Sequence, residues 1–252
     1  MKKIEARIRP YLTRLIISLI PSGKQISAEE IRNSTIRRIL IVYPHNETGD
    51  MLLATPMIKA LKELIGAGGE LGVVVRPLHC AVLINNPDID EIYVYDKKKL
   101  KVFGLLKFIK KIRSRRYDAA IVIDSISFSL TSGLFAYFSN ARYVIGARDL
   151  AVRFEPKITR LFNLMIPINF KQHDILIKCE YAAFFKAVCN DLSERMILTK
   201  DEECFYEDYY KNNNINSKDK VIIMHLGAGK AQNRWAVKIL RRLEKKYWIR
   251  KI

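Results

Sequence analysis

Residues 37–75 read RRILIVYPHNETGDMLLATPMIKALKELIGAGGELGVVV. The stretch opens with Ile39, Leu40, Ile41, Val42 and Tyr43, a continuous apolar run closed by Pro44-His45-Asn46. An unbroken aliphatic run suits a strand covered on both faces, as in a parallel sheet. Residues 51–65 predict a helix. Leu52, Leu53, Met57, Leu61 and Leu64 recur there at three- and four-residue steps, and the glycines at 66–69 stop it. Residues 71–75 predict the next strand.

The same alternation extends outward. Residues 77–84 predict a short helix broken at Asn85-Asn86-Pro87, and 91–95 a third strand. A basic helix over 100–112 leads to a strand over 119–123, closed by Asp124-Ser125. A helix over 127–138 and a strand over 143–145 follow. Residues 147–170, with Pro156 and Pro167, read as irregular. Helices are predicted over 173–188 and 201–211, the second ended by Asn212-Asn213-Asn214. Residues 221–224 predict the start of another buried strand, running into Gly227-Ala228-Gly229-Lys230, with a helix from Trp235. Strands alternating with helices specify an α/β domain with a parallel sheet and right-handed crossovers. Ligands bind such sheets at the carboxyl ends of the strands. That places residues 46–50 and 124–127 on the functional edge.

Composition narrows the class. The 252 residues are 49% hydrophobic and 28% charged, enough for a packed core. The formal charge is +18, from 44 Lys and Arg against 26 Asp and Glu. That excess suggests an anionic partner: nucleic acid, a membrane surface or a phosphorylated substrate. Residues 97–116 concentrate it, with Lys97, Lys98, Lys99, Lys101, Lys107, Lys110, Lys111, Arg113, Arg115 and Arg116 and no acid. The run is either a solvated helix face or a surface for anionic lipid or a phosphorylated acceptor. No aromatic-interleaved or helix-turn-helix pattern supports nucleic acid, and none is expected as a partner.

Cys80, Cys179, Cys189 and Cys204 form no CxxC pair, so free thiols in a reducing compartment are expected. No apolar run reaches the roughly 18–20 residues of a membrane span. The N-terminus resembles a signal peptide, but Arg14 leaves only the six apolar residues 15–20 and no small-residue cleavage site follows. It reads as uncleaved. Ile4, Ile8, Leu12, Leu15, Ile16 and Leu19 share one helical face, fit either for an anionic membrane surface or for packing on the domain itself.

Two segments carry chemistry. In Thr48-Gly49-Asp50, Gly49 permits a tight turn or a close approach by a ligand. Asp50 either caps the helix, accepting an orphan backbone N–H, or takes a proton from a hydroxyl nucleophile. In Gly227-Ala228-Gly229-Lys230, small residues after a strand let backbone N–H groups approach a phosphate. The spacing matches neither a Walker A loop nor a full GxGxxG motif. His45, His79, His173 and His225 are scattered, and no Gly-x-Ser-x-Gly elbow points to a serine hydrolase.

Taken in order, these segments resemble glycosyltransferase family nine, the ADP-heptose:lipopolysaccharide heptosyltransferases. Thr48-Gly49-Asp50-Met51-Leu52-Leu53-Ala54-Thr55-Pro56 resembles the family's IGDxxLxTP segment, and Val75-Arg76-Pro77 its VRP. Asn86-Pro87-Asp88-Ile89-Asp90-Glu91 resembles NPDIDE, and Tyr117-Asp118 through Asp124 resembles YDxxIDL. Val144-Ile145-Gly146 resembles RIG, and His225-Leu226-Gly227-Ala228-Gly229 with Arg234-Trp235 resembles HPGAG…KRW. The likeness covers about residues 37–240.

The resemblance implies a GT-B fold, two Rossmann-like domains flanking a cleft. It implies transfer of a heptose or related sugar from a nucleotide sugar such as ADP-heptose. The acceptor would be an anionic, lipid-linked one, a lipopolysaccharide core or similar envelope glycolipid, at the inner face of the cytoplasmic membrane. No metal or other cofactor is expected. Asp50 would be the general base, with Thr48, Gly49, Asp124 and Ser125 on the substrate. Gly227, Ala228, Gly229, Lys230 and Arg234 would face the donor pyrophosphate, Asn233 standing where the family carries a lysine. The expected organisation is an N-terminal helix and linker over 1–35, an acceptor-side Rossmann-like domain over 36–200 and a linker over 201–218. Residues 219–252 would be the first βα unit of an incomplete donor-side domain, without the family's DTGxxHLA segment. Two alternatives stand beside the enzyme: a truncated, catalytically inactive member, and a basic membrane-surface binding module.

Overall fold

The structure is a computed structural model that describes residues 17–21, 24–45, 48–124, 129–149, 156–216, 218–222, 228, 234–236, 238–239 and 241–242. The chain divides into two compact units, Met1–Thr199 and Lys200–Ile252.

The first unit is built on six parallel strands: β1 (Arg38–Tyr43), β2 (Glu70–Val75), β3 (Glu91–Val94), β4 (Ala119–Val122), β5 (Tyr143–Ala147) and β6 (Leu164–Ile166). Their order across the sheet is β3-β2-β1-β4-β5-β6. The α/β expectation holds, and the order is that of a doubly wound Rossmann sheet. The helices are α1 (Ala28–Arg32), α2 (Thr48–Leu52), α3 (Thr55–Ile65), α4 (Pro77–Leu83), α5 (Val102–Ser114), α6 (Leu130–Phe138) and α7 (Asp174–Phe184), with a 3-10 turn over Pro156–Leu161.

The two-residue period of β1 sorts its side chains between two cores. Ile39, Ile41 and Tyr43 pack with Leu71, Val73, Met57, Leu61 and Tyr181, under α1 to α4 and α7. Leu40 and Val42 pack on the opposite face with Ile112, Phe135 and Phe162, under α5, α6 and the 3-10 turn. Both faces are therefore dry, which is why the strand reads as an unbroken apolar run. Full burial of each such side chain contributes roughly 1.5–3 kcal/mol. Gly72 in β2 has a packing reason: a Cβ there would lie 2.1 Å from the Tyr117 hydroxyl oxygen.

In the first unit three readings of local structure are corrected. The helix expected over 51–65 is two helices, because Pro56 has no N–H to give the Leu52 carbonyl. The Thr55 hydroxyl takes that carbonyl instead, at 2.7 Å, and the chain restarts as α3 with proline in its first turn. The stretch 147–170 holds an unexpected strand, β6, only three residues long and at the sheet edge. The helix expected to run to Val188 ends at Phe184, and Lys186 adopts a left-handed conformation with φ 65°.

Of the expected N-terminal helix, only its last residues are described, Ile17–Leu19 being helical. Ile17 and Ile20 are buried against the sheet, and Leu19 is exposed. The rest of that face, Ile4, Ile8, Leu12, Leu15 and Ile16, lies outside the described residues. Among the described residues no helix is long and apolar enough to cross a membrane.

In the second unit α8 (Lys200–Asn212) carries Asp201, Glu202 and Glu203 in its first turn, where the helix dipole favours anions. Val221 and Ile222, expected to open a buried strand, are exposed and unpaired in any ladder; Ile223 and Met224 lie outside the described residues. Trp235 and Ala236 precede rather than begin the helix, which is described at Lys238, Ile239, Arg241 and Arg242.

Candidate active site at the carboxyl edge of the sheet

The chain leaves β3 at one edge of the sheet and returns beside β1 to form β4. The carboxyl ends of β1 and β4 therefore flank the point where strand order reverses, the place such sheets bind ligands. Pro44 and His45 follow β1, and Ile123 and Asp124 follow β4.

His45 Nε2 lies 2.8 Å from Asp124 Oδ1 and joins the two strand ends. Asp124 is 2% exposed, and its carboxylate is spent on the protein. It also accepts the Ser129 N–H at 2.8 Å and the Ser132 hydroxyl at 3.2 Å, fixing the start of α6. Ser129 is itself the N-cap of α6. A buried carboxylate with this many donors is retained because the bonds replace its lost hydration.

Asp50 sits in the first turn of α2 and is half-buried. The Tyr43 hydroxyl donates to its Oδ2 at 2.5 Å. Among the described residues Asp50 Oδ1 has no hydrogen-bond partner. A Cβ on Gly49 would meet nothing within 4 Å, and its φ is not in the left-handed region. Gly49 therefore leaves room where a Cβ would stand and makes no strained turn. Thr48 is the first residue of α2 and is half-buried. Asn46, Glu47 and Ser125 lie outside the described residues.

Beneath Asp50 is a cation that sequence reasoning missed. Lys178 of α7 is fully buried, donates to the Ile123 carbonyl at 2.6 Å and stands 4.6 Å from the Tyr43 ring centroid. Burial pushes its ammonium down to about 8; Asp124, Asp174 and Asp50 oppose that by favouring the charged form. The neighbouring Tyr181 hydroxyl donates to the Asp124 carbonyl at 3.1 Å, and burial holds that phenol protonated well above its ordinary range. The Tyr43 ring stacks on His45, with centroids 4.7 Å apart, and on buried His79 at 5.9 Å. Arg76 follows β2 at the same edge, its guanidinium 5.9 Å from the Tyr95 ring centroid.

The sequence brings Asp50, Thr48 and Gly49 together on one short helix; the fold adds Asp124, Tyr43, His45 and Lys178. A signal for Lys178 did exist, since a lysine on the apolar face of a strongly periodic helix is out of place. In the second unit, Arg234 Nε donates to the Ala228 carbonyl at 2.8 Å. Gly227, Gly229 and Lys230 lie outside the described residues. Among the described residues no cluster of three or more His, Cys, Asp or Glu side chains could hold a metal.

No protein-family model matches the chain, and no curated protein matches it. Solved structures do. The glycosyl transferase family 9 protein from Veillonella parvula matches with a TM-score of 0.70 at 17% identity, over 84% of this chain and 60% of that one. The E. coli heptosyltransferase WaaC, with ADP-2-deoxy-2-fluoro heptose, matches with a TM-score of 0.59 at 16% identity, over 83% and 65%. E. coli ADP-heptose lps heptosyltransferase II matches with a TM-score of 0.59 at 17% identity, over 83% and 60%. The shared feature is the fold, the parallel α/β architecture of these glycosyltransferases. The chain spans 60–65% of the length of these structures.

Proposed function

We propose that the chain acts in glycosyl transfer of the family nine type, moving a heptose or related sugar from a nucleotide sugar such as ADP-heptose. The acceptor is a hydroxyl on a lipopolysaccharide core or similar anionic envelope glycolipid, met at the inner face of the cytoplasmic membrane. The observation that carries this reading is the Asp50 carboxylate, half-buried at the carboxyl edge of β1 and held through one oxygen by the Tyr43 hydroxyl.

In this reading Asp50 accepts the acceptor hydroxyl proton as the acceptor oxygen bonds to the anomeric carbon. The bond from that carbon to the diphosphate breaks, and the nucleoside diphosphate leaves with the electron pair. Thr48 and Gly49 border the acceptor. Asp124 acts one step back, holding His45 and the start of α6 in place; Ser125, the next residue in the chain, is assigned to the substrate. Gly227, Ala228, Gly229, Lys230 and Arg234 serve the donor pyrophosphate, and residues 219–252 belong to the donor side. Residues 36–200 serve the acceptor.

Titration of the 252-residue chain with ADP-heptose, followed by a transfer assay on a lipid-linked core acceptor, tests the proposal. Saturable donor binding with transfer supports it. Acceptor-glycolipid binding with neither donor binding nor transfer replaces the enzyme with a binding module.

A further inference from the structure

Helix α5 follows β3, so its N-terminus lies at the carboxyl edge of the sheet, the edge that carries Asp50 and His45. Leu105, Phe108 and Ile112 hold α5 to the sheet. On the side turned away, Val102, Phe103 and Leu106 are 73%, 82% and 59% exposed. Three large apolar side chains at i, i+1 and i+4, one of them an almost bare phenylalanine, are costly to leave in water.

The charges around them are predominantly basic. Lys97, Lys98, Lys99 and Lys101 precede the apolar stripe, and Lys107 and Lys110 follow it on the next turns. None of these six makes an ion pair among the described residues. Lys111 and Arg115, further along, are paired with Glu91. Asp96, which precedes the lysines, accepts the Lys98 backbone N–H on its carboxylate. Basic side chains around an aromatic and aliphatic tip suit an anionic lipid surface: the tip enters the acyl boundary and the lysines stay at headgroup level.

We propose that the start of α5, with Val102, Phe103 and Leu106 as the inserting tip and the flanking lysines as its collar, is a docking surface for an anionic bilayer. This deepens the membrane part of the proposed function and rests on it, but not on glycosyl transfer. It also explains the placement: β3 is two strand spacings from β1, on the order of 10 Å along the sheet, so a docked α5 brings the candidate site next to the lipid surface.

The test is co-sedimentation of the full chain with vesicles of phosphatidylcholine alone and of phosphatidylcholine with phosphatidylglycerol. Size-exclusion chromatography with light scattering runs beside it. The wild-type chain is expected to bind the anionic vesicles, less so in high salt. The V102S/F103S/L106S variant and the K107E/K110E variant should each lose at least about tenfold in partitioning. All five positions are exposed, so unchanged circular dichroism and melting confirm that folding is intact. Wild-type binding that both variants retain overturns the α5 surface and leaves another membrane contact. No vesicle binding by wild type overturns the membrane reading with it, while transfer activity is judged separately. A wild-type dimer that the serine variant makes monomeric, with vesicle binding unchanged, assigns the tip to a second copy of the chain instead.

Discussion

The imidazole of His45 and the carboxylate of Asp124, 79 residues apart in sequence, meet at 2.8 Å across the ends of β1 and β4. The bond closes the point where the strand order reverses, and the same carboxylate reaches on to Ser129 and Ser132. One buried carboxylate thus ties His45 after β1 and the end of β4 to Ser129 and Ser132 at the start of α6.

Asp124→Ala is expected to destabilise the first unit by roughly 3–4 kcal/mol, since several buried donors lose a charged acceptor at once. Asp124→Asn keeps an oxygen acceptor and should lose less. Urea denaturation followed by circular dichroism measures both; an alanine variant as stable as wild type would refute the positioning role.

Asp50→Asn removes the proposed base but keeps the shape of a half-buried side chain. Transfer turnover should fall by roughly 10²–10⁴-fold with little change in melting temperature. Tyr43→Phe removes the hydroxyl that donates to Oδ2 but keeps the carboxylate itself, so its loss of turnover should be smaller. Pre-steady-state rates distinguish the two.

Lys178 links stability to pH. Its ammonium is pushed down to about 8 in the folded chain from an ordinary value of 10.5. Between those values the unfolded chain binds more protons, so the burial penalty, present below pH 8, is relieved as pH rises toward 10.5. Relative to Lys178→Met, wild-type stability should gain roughly 2–3 kcal/mol between pH 7 and pH 10. Paired urea titrations measure this difference, in which the tyrosine and cysteine ionisations common to both proteins cancel. A flat difference would mean that Lys178 titrates as it does in water.

Gly72→Ala places a methyl group 2.1 Å from the Tyr117 hydroxyl oxygen and 3.1 Å from the Tyr93 ring. The two phenols are hydrogen-bonded to each other at 3.0 Å, so neither moves aside alone. Overpacking here is expected to cost about 1–3 kcal/mol. Thermal unfolding of the variant checks it, and a second Tyr117→Phe change should recover only part of the loss, because the ring carbon remains 2.8 Å away.

Local pattern was enough for β1, β2 and β4, because strands buried on both faces must be apolar throughout. It was not enough for β6. Leu164, Met165 and Ile166 are a three-residue edge strand bounded by Asn163 and Pro167, too short to show a period. The break between α2 and α3 was written in Thr55-Pro56, yet the apolar spacing across it continues as though the helix did. Asp50, Thr48 and Gly49 were legible because they are neighbours at the end of a recognisable strand.

By itself, the sequence determined the α/β alternation, the parallel sheet and the placement of Asp50 at the carboxyl edge, since each follows from residues close together in the chain. Only the tertiary structure decided that Tyr43 orients Asp50, that Asp124 is held within the protein, and that Lys178 lies buried beneath the site. It also decided which lysines of the basic run are paired and which ring an exposed phenylalanine. The physical reason is the same for all of these. A side chain's chemistry depends on what removes its water and what replaces it, and those neighbours come from strands and helices distant in sequence.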